Sequence, residues 1–153
     1  MTSLDDVVRR LQTLPFFANM DAGVLKLLVF TNERLTYERG DVLCRQGEVG
    51  DAAYVLLDGE AEVLVATAEG PVRVAALKGV TLVGEIAILI DVPRTATIRA
   101  TGRLDALKVT KERFFQLMED YPGIAIETMR VLASRLEATT AELARARAAL
   151  HEK

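Results

Sequence analysis

The sequence predicts an α+β fold, an antiparallel β-roll or jelly roll flanked by N-terminal helices and two C-terminal helices. Apolar residues recur at helical spacing up to about residue 32. Over residues 33–110, short β-favouring runs alternate with glycine turns at Gly40, Gly47, Gly50, Gly59, Gly70 and Gly79. Helical spacing returns after Thr110. The 153 residues fit one domain, expected to carry helices over 1–32, the β-roll over 33–110 and helices over 111–153. Half the residues are hydrophobic, so a sizeable core is available.

Thr2 or Ser3 can cap a first helix that has Asp5 and Asp6 in its first turn. Leu4, Val7, Val8, Leu11 and Leu14 then recur at helical spacing, and Pro15 ends the run. Asp21 can cap a second helix carrying Val24, Leu25, Leu27 and Leu28. Ala61, Val63 and Val65 alternate with Glu60 and Glu62, the mark of a half-buried strand. Residues 53–57, 72–77, 96–100 and 104–109 read likewise. Residues 111–119 are expected to form a helix bearing Phe114, Phe115, Leu117 and Met118, interrupted by Tyr121-Pro122-Gly123.

A long helix rich in Ala, Glu, Arg and Leu is expected from Ile124 into the Ala149 region. Met129, Leu136, Leu143 and Leu150 repeat every seven residues. Their companions, Leu132, Thr139 and Ala146 or Ala133, Thr140 and Arg147, make a poor apolar seam. Two states stay open: a monomer with this helix packed on its own barrel, or a homodimer through the C-terminal helix.

Composition removes several function classes. Net charge is −3 and the pI is near 5.3, without the basic excess of a nucleic-acid surface. The single cysteine, Cys44, cannot form an internal disulfide and suits a small core position in a reducing compartment. No charged-then-apolar leader follows Met1, and the longest apolar run, residues 80–90, is too short for a membrane span. A cytoplasmic protein is expected. His151 is the lone histidine, so neither a clustered metal site nor a Ser/Cys–His catalytic set can be assembled. No metal and no enzymatic activity are expected.

The chemistry concentrates in residues 83–97. Gly84 permits a close backbone turn, and Ile86 to Leu89 can form one helical turn whose first N–H groups lack intrahelical acceptors. Glu85 stands alone among apolar neighbours, and Arg94 follows Pro93 and precedes Thr95 and Ala96. Free amides attract phosphate, a guanidinium fork matches phosphate oxygens, and a carboxylate accepts from a sugar hydroxyl. The ligand that suits the set is a ribose carrying a phosphate near its hydroxyl. Glu85 and Arg94 would also suit an ion pair closing a buried turn.

Gly84-Glu85-Ile86-Ala87-Ile88-Leu89 followed by Pro93-Arg94-Thr95-Ala96-Thr97 resembles the phosphate-binding cassette of cyclic nucleotide-binding domains. The order of helix, glycine-punctuated β-roll, cassette and two helices is similar to that fold from Phe16 to about Leu136. The pattern from Arg94 to Arg135 is similar to cyclic-nucleotide-gated and hyperpolarisation-activated channels, catabolite-activator relatives and kinase regulatory subunits. The resemblance implies cyclic AMP (cAMP) or cyclic GMP (cGMP) as ligand. It implies that Glu85 takes the ribose 2′-hydroxyl and that Arg94 holds the cyclic phosphate with the N–H groups of Ala87 and Thr95. Val63 and Leu77 fall where the family lines its purine pocket. Arg135 falls where channel-like members place a lid arginine over the base, with Leu136 beside it, although a solvated helix charge is the alternative for Arg135.

No membrane-spanning helices precede this pattern and no helix-turn-helix follows Leu136, so neither a complete channel nor a complete transcription factor is expected. The expectation is a cytosolic sensor that signals to an unnamed downstream protein by movement of its C-terminal helix. The alternative is a structural or interaction protein that keeps the fold without responding to nucleotide.

Overall fold

A computed structural model describes residues 3–151. The chain divides into two compact units, residues 1–116 and 117–153. The first begins with α1 (Leu4–Leu11) and α2 (Ala22–Thr31). Ser3 caps α1 by accepting from the Asp6 N–H at 3.2 Å, and Asp21 caps α2 by accepting from the Gly23 N–H at 3.2 Å. Thr2, the other capping candidate, lies outside the described residues. α1 ends at Leu11, before Pro15, and Leu14 follows in a turn, its N–H donating to the Leu11 carbonyl.

Eight strands follow: β1 (Glu33–Tyr37), β2 (Val42–Cys44), β3 (Ala52–Asp58), β4 (Glu60–Thr67), β5 (Gly70–Lys78), β6 (Thr81–Val83), β7 (Thr97–Ala100) and β8 (Leu104–Thr110). They form two four-stranded antiparallel sheets, ordered β1-β8-β3-β6 and β2-β7-β4-β5. With the flanking helices this is the expected α+β roll. One helix interrupts the strands, α3 (Glu85–Leu89), between β6 and β7.

The core lies between the sheets. Tyr54, Leu56, Val83, Leu104 and Ala106 from one sheet join Leu43, Cys44, Ala61, Ile98 and Ala100 from the other. β3 is buried on both faces, which explains its unbroken apolar run. Tyr54 and Leu56 face the inter-sheet core, and α1 packs against the same strand. Each fully buried Leu or Val contributes about 1.5–3 kcal/mol of transfer free energy.

α4 (Lys111–Asp120) carries buried Phe114 and runs across the division between the units. In the second unit, α5 (Pro122–His151) is one helix of 30 residues with Ile124 and Thr128 buried. The expected break at Tyr121-Pro122-Gly123 narrows to Tyr121, because Pro122 is the first residue of α5. Proline suits that position, where its missing N–H would have no intrahelical acceptor. The Ile124 N–H instead donates to the Tyr121 carbonyl at 2.9 Å.

Candidate functional site

The site is built on α3, which lies against β3, and on the turn that returns the chain to β7. Gly84 caps α3 in the left-handed conformation, φ 79°. A β-carbon there would lie 2.5 Å from the Arg94 Nη1, so both the backbone and the space require glycine. The chain then enters α3, and the amides of Ile86 and Ala87, being in its first turn, have no intrahelical acceptor. Glu85 is buried at 3 % exposure, Ala87 is buried, and Ile86 is 36 % exposed.

Arg94 is buried at 5 % exposure. Its Nη1 donates to the Gly84 carbonyl at 2.9 Å and its Nη2 to the Ala52 carbonyl at 2.6 Å. The Asp51 carboxylate lies 3.8 Å from Nη2 and is itself largely exposed. The guanidinium also sits 6.0 Å from the ring centre of Tyr54, a marginal cation–π distance. A positive charge is thus held in the interior by two main-chain carbonyls, with the largely exposed Asp51 carboxylate pairing with it at 3.8 Å.

The β2–β3 loop holds this arrangement from behind. The Gly47 N–H donates to the Arg94 carbonyl and the Arg94 N–H to the Glu48 carbonyl, both at 2.8 Å. Val49 bridges to Pro93, and Gly50 packs on α3 so closely that a β-carbon would fall 2.5 Å from that of Ala87. At the far end of α3, Asp91 adopts φ 53° and its carboxylate lies 3.5 Å from the Lys111 Nζ.

Thr95 is exposed on the turn after Arg94. Val63 and Leu77 are half-buried and share the inner face of β4–β5. Leu77 pairs with Ala61, Val63 stands two residues further along β4, and Leu77 packs on the inter-sheet core. Burial, with Tyr37 and Asp51 adding, pushes the Tyr54 phenol up to about 12 against the pull of Arg94. Burial likewise pushes the Cys44 thiol up. Both groups therefore stay neutral near pH 7. Arg135 and Leu136 belong to α5 in the second unit, and both are exposed.

The structure thus brings Gly84 and Arg94 into contact, with Glu85 and Ala87 on the helix that Gly84 caps. Sequence reasoning missed the contribution of Ala52, Asp51 and Gly50. The glycine spacing marked a turn at Gly47 and Gly50, but nothing local to it pointed to α3 or Arg94. Among the described residues no three His, Cys, Asp or Glu side chains gather as a metal site, and no helix is long and apolar enough to cross a membrane.

The chain thus combines a jelly roll with an arginine buried beside a helix start. The chain belongs to the cyclic nucleotide-binding domain family, whose pattern it matches over residues 34–121. It is 34% identical to a cAMP-dependent protein kinase regulatory subunit of Blastocladiella emersonii, over 71% of this chain and 27% of that protein. It is 30% identical to the alpha subunit of the rod photoreceptor cyclic nucleotide-gated channel of Gallus gallus, over 73% of this chain and 18% of that protein. The chain therefore spans about a quarter or less of these two relatives. Among solved structures, the Thermus thermophilus catabolite activator protein superposes with a TM-score of 0.78 at 25% identity, over 85% of this chain and 62% of that one.

Proposed function

We propose that this chain is a single regulatory domain that binds cAMP or cGMP and signals by movement of its C-terminal helix to a downstream protein in the cytoplasm, without catalysing a reaction. The observation that carries the reading is the buried Arg94 guanidinium, oriented by the Ala52 and Gly84 carbonyls. Its carboxylate partner, Asp51, is largely exposed at 3.8 Å, and a ligand phosphate supplies a second anion with fork geometry.

Arg94 then takes the cyclic phosphate together with the N–H groups of Ala87 and Thr95. Glu85 accepts from the ribose 2′-hydroxyl, while Gly84 and Ile86 complete the turn that presents these groups. Val63 and Leu77 offer an apolar wall to the purine. Arg135 and Leu136 close over the base as a lid carried by α5. Membership of the family supports these roles, as does the match between donor types and ligand oxygens.

Calorimetry with cAMP, cGMP and 5′-AMP on the purified chain tests the reading. Heat from the cyclic forms alone is expected. No binding of either cyclic form would favour an interaction protein that keeps the fold without the ligand.

A further inference from the structure

We propose that α2, near the start of the chain, docks antiparallel on α2 of a second copy. Of its ten residues only Lys26 is charged, and Lys26 is held by the Asp5 carboxylate at 3.5 Å. Leu25 and Leu28 are buried where α2 lies against α1 and β1. On the opposite side Leu27 is 63% exposed and Phe30 75%. A helix that is apolar all round is normally covered all round. The polar groups at its end are already turned inward. The Thr31 Oγ1 donates to the Leu27 carbonyl and the Asn32 Nδ2 to the Leu28 carbonyl, both at 2.8 Å. Covering the exposed face therefore strands neither of these helix-end acceptors.

The shape of that face fits its own copy. Gly23, Leu27 and Phe30 share it at i, i+4 and i+7. Gly23 is an open notch, since a β-carbon there would meet only the Asp21 carboxylate, at 3.9 Å. Phe30 is a knob two turns further along, about 10.5 Å away. Antiparallel pairing about a two-fold axis beside Leu27 seats each Phe30 in the Gly23 notch of the other copy and brings the two Leu27 side chains together at the axis. A lipid surface suits the face less well. A helix lying on a membrane carries Lys and Arg beside its apolar face, whereas Asp21 and Glu33 border α2 and its one lysine is paired with Asp5. Two faces of ten residues fall short of the roughly 1,200 Å² of a stable interface, so the pairing is weak and concentration-dependent.

This pairing does not rest on the ligand reading, and its test reads α2 itself, so contact through α5 cannot mimic it. Cys44 is buried with its thiol neutral, so it stays in place without competing. Under brief oxidation of the full chain at about 100 µM, Leu27→Cys should cross-link two copies at least several-fold faster than Ala68→Cys, an exposed position in the β4–β5 turn. Gly23→Leu fills the notch with no close contact inside the chain and adds a better helix former, so its melting temperature should hold or rise. Added to Leu27→Cys, it should nonetheless cut cross-linking to the rate of Ala68→Cys, and so should Phe30→Asp. Equal rates for Leu27→Cys and Ala68→Cys overturn the proposal. So does fast cross-linking that survives both Gly23→Leu and Phe30→Asp. Uptake of the unmodified chain by phosphatidylcholine vesicles, lost in Phe30→Asp, would overturn it in favour of a lipid surface.

Discussion

The Gly84 carbonyl accepts from the Arg94 Nη1 at 2.9 Å, and the same nitrogen lies 2.5 Å from where a Gly84 β-carbon would stand. One residue thus both orients the guanidinium and leaves room for it. Gly84→Ala should force the left-handed backbone on an L side chain, about 1–2 kcal/mol, and push the guanidinium off its carbonyl. We expect cyclic nucleotide affinity to fall about tenfold or more, with the fold retained. Calorimetry paired with a melting curve checks both halves. An unchanged affinity would show that Arg94 does not need this position.

Arg94 itself should carry the largest share of affinity. Truncating one side of a buried charge pair costs about 2–5 kcal/mol, so Arg94→Ala should weaken binding roughly thirty-fold to several thousand-fold. Arg94→Lys should also weaken it, because a point charge cannot reach both carbonyls and a phosphate as a fork does. Glu85→Ala should cost less, about 1–3 kcal/mol. The ordering is the content of the prediction. A parent-like affinity in Arg94→Ala would remove the cassette assignment.

Thr95 is exposed beside Arg94, so its hydroxyl is free to meet a ligand. Both nucleotides are expected to bind, with cAMP preferred or equal, since no acidic side chain among the proposed purine contacts selects guanine. A syn guanine presents its 2-amino group near the phosphate, where the Thr95 oxygen can accept from it. Thr95→Ala should therefore lose more affinity for cGMP than for cAMP in paired titrations. Equal losses would confine Thr95 to the phosphate.

The lid is tested by exchange. With saturating cAMP, amides across residues 128–143 should exchange more slowly than without it, and Arg135→Ala should blunt that protection while weakening binding moderately. Closure requires only that the ligand prefer the closed state; a 1:99 to 99:1 shift takes about 5.5 kcal/mol. Identical exchange with and without ligand would remove the lid even if binding stood.

Alkaline stability should report the Tyr54 environment. Its phenol ionises in the unfolded chain near its ordinary value of 10 but in the folded chain only at about 12. The stabilisation is thus complete below pH 10 and is lost as the pH rises towards 12. Tyr54→Phe should flatten that part of the pH–melting profile. Parallel profiles for the two proteins would show that another group dominates the alkaline limb.

What could be read in advance follows the range of the interactions. Gly84, Glu85, Ala87 and Arg94 lie within one short stretch, so their order and chemistry mark a candidate site from sequence alone. The jelly roll was legible because strand alternation and glycine turns are local. The anchor of Arg94 was not, because half of it is the Ala52 carbonyl, a main-chain group that every residue carries. Gly50 read as a turn residue, yet what it supplies is space for Ala87, a demand made by a distant segment. The start of α5 was misplaced for a local reason. Pro122 and Gly123 read equally well as a break or as the first turn of a helix, and sequence alone does not choose between them.

The unbroken run of α5 turns angle into distance. At 1.5 Å per residue, its 30 residues span about 45 Å. A tilt of about 10° at Pro122 would sweep His151 through roughly 8 Å, most of a helix diameter. A ligand that shifts the base of such a lever by a fraction of a turn delivers at its tip a displacement large enough to make or break contact with whatever stands there.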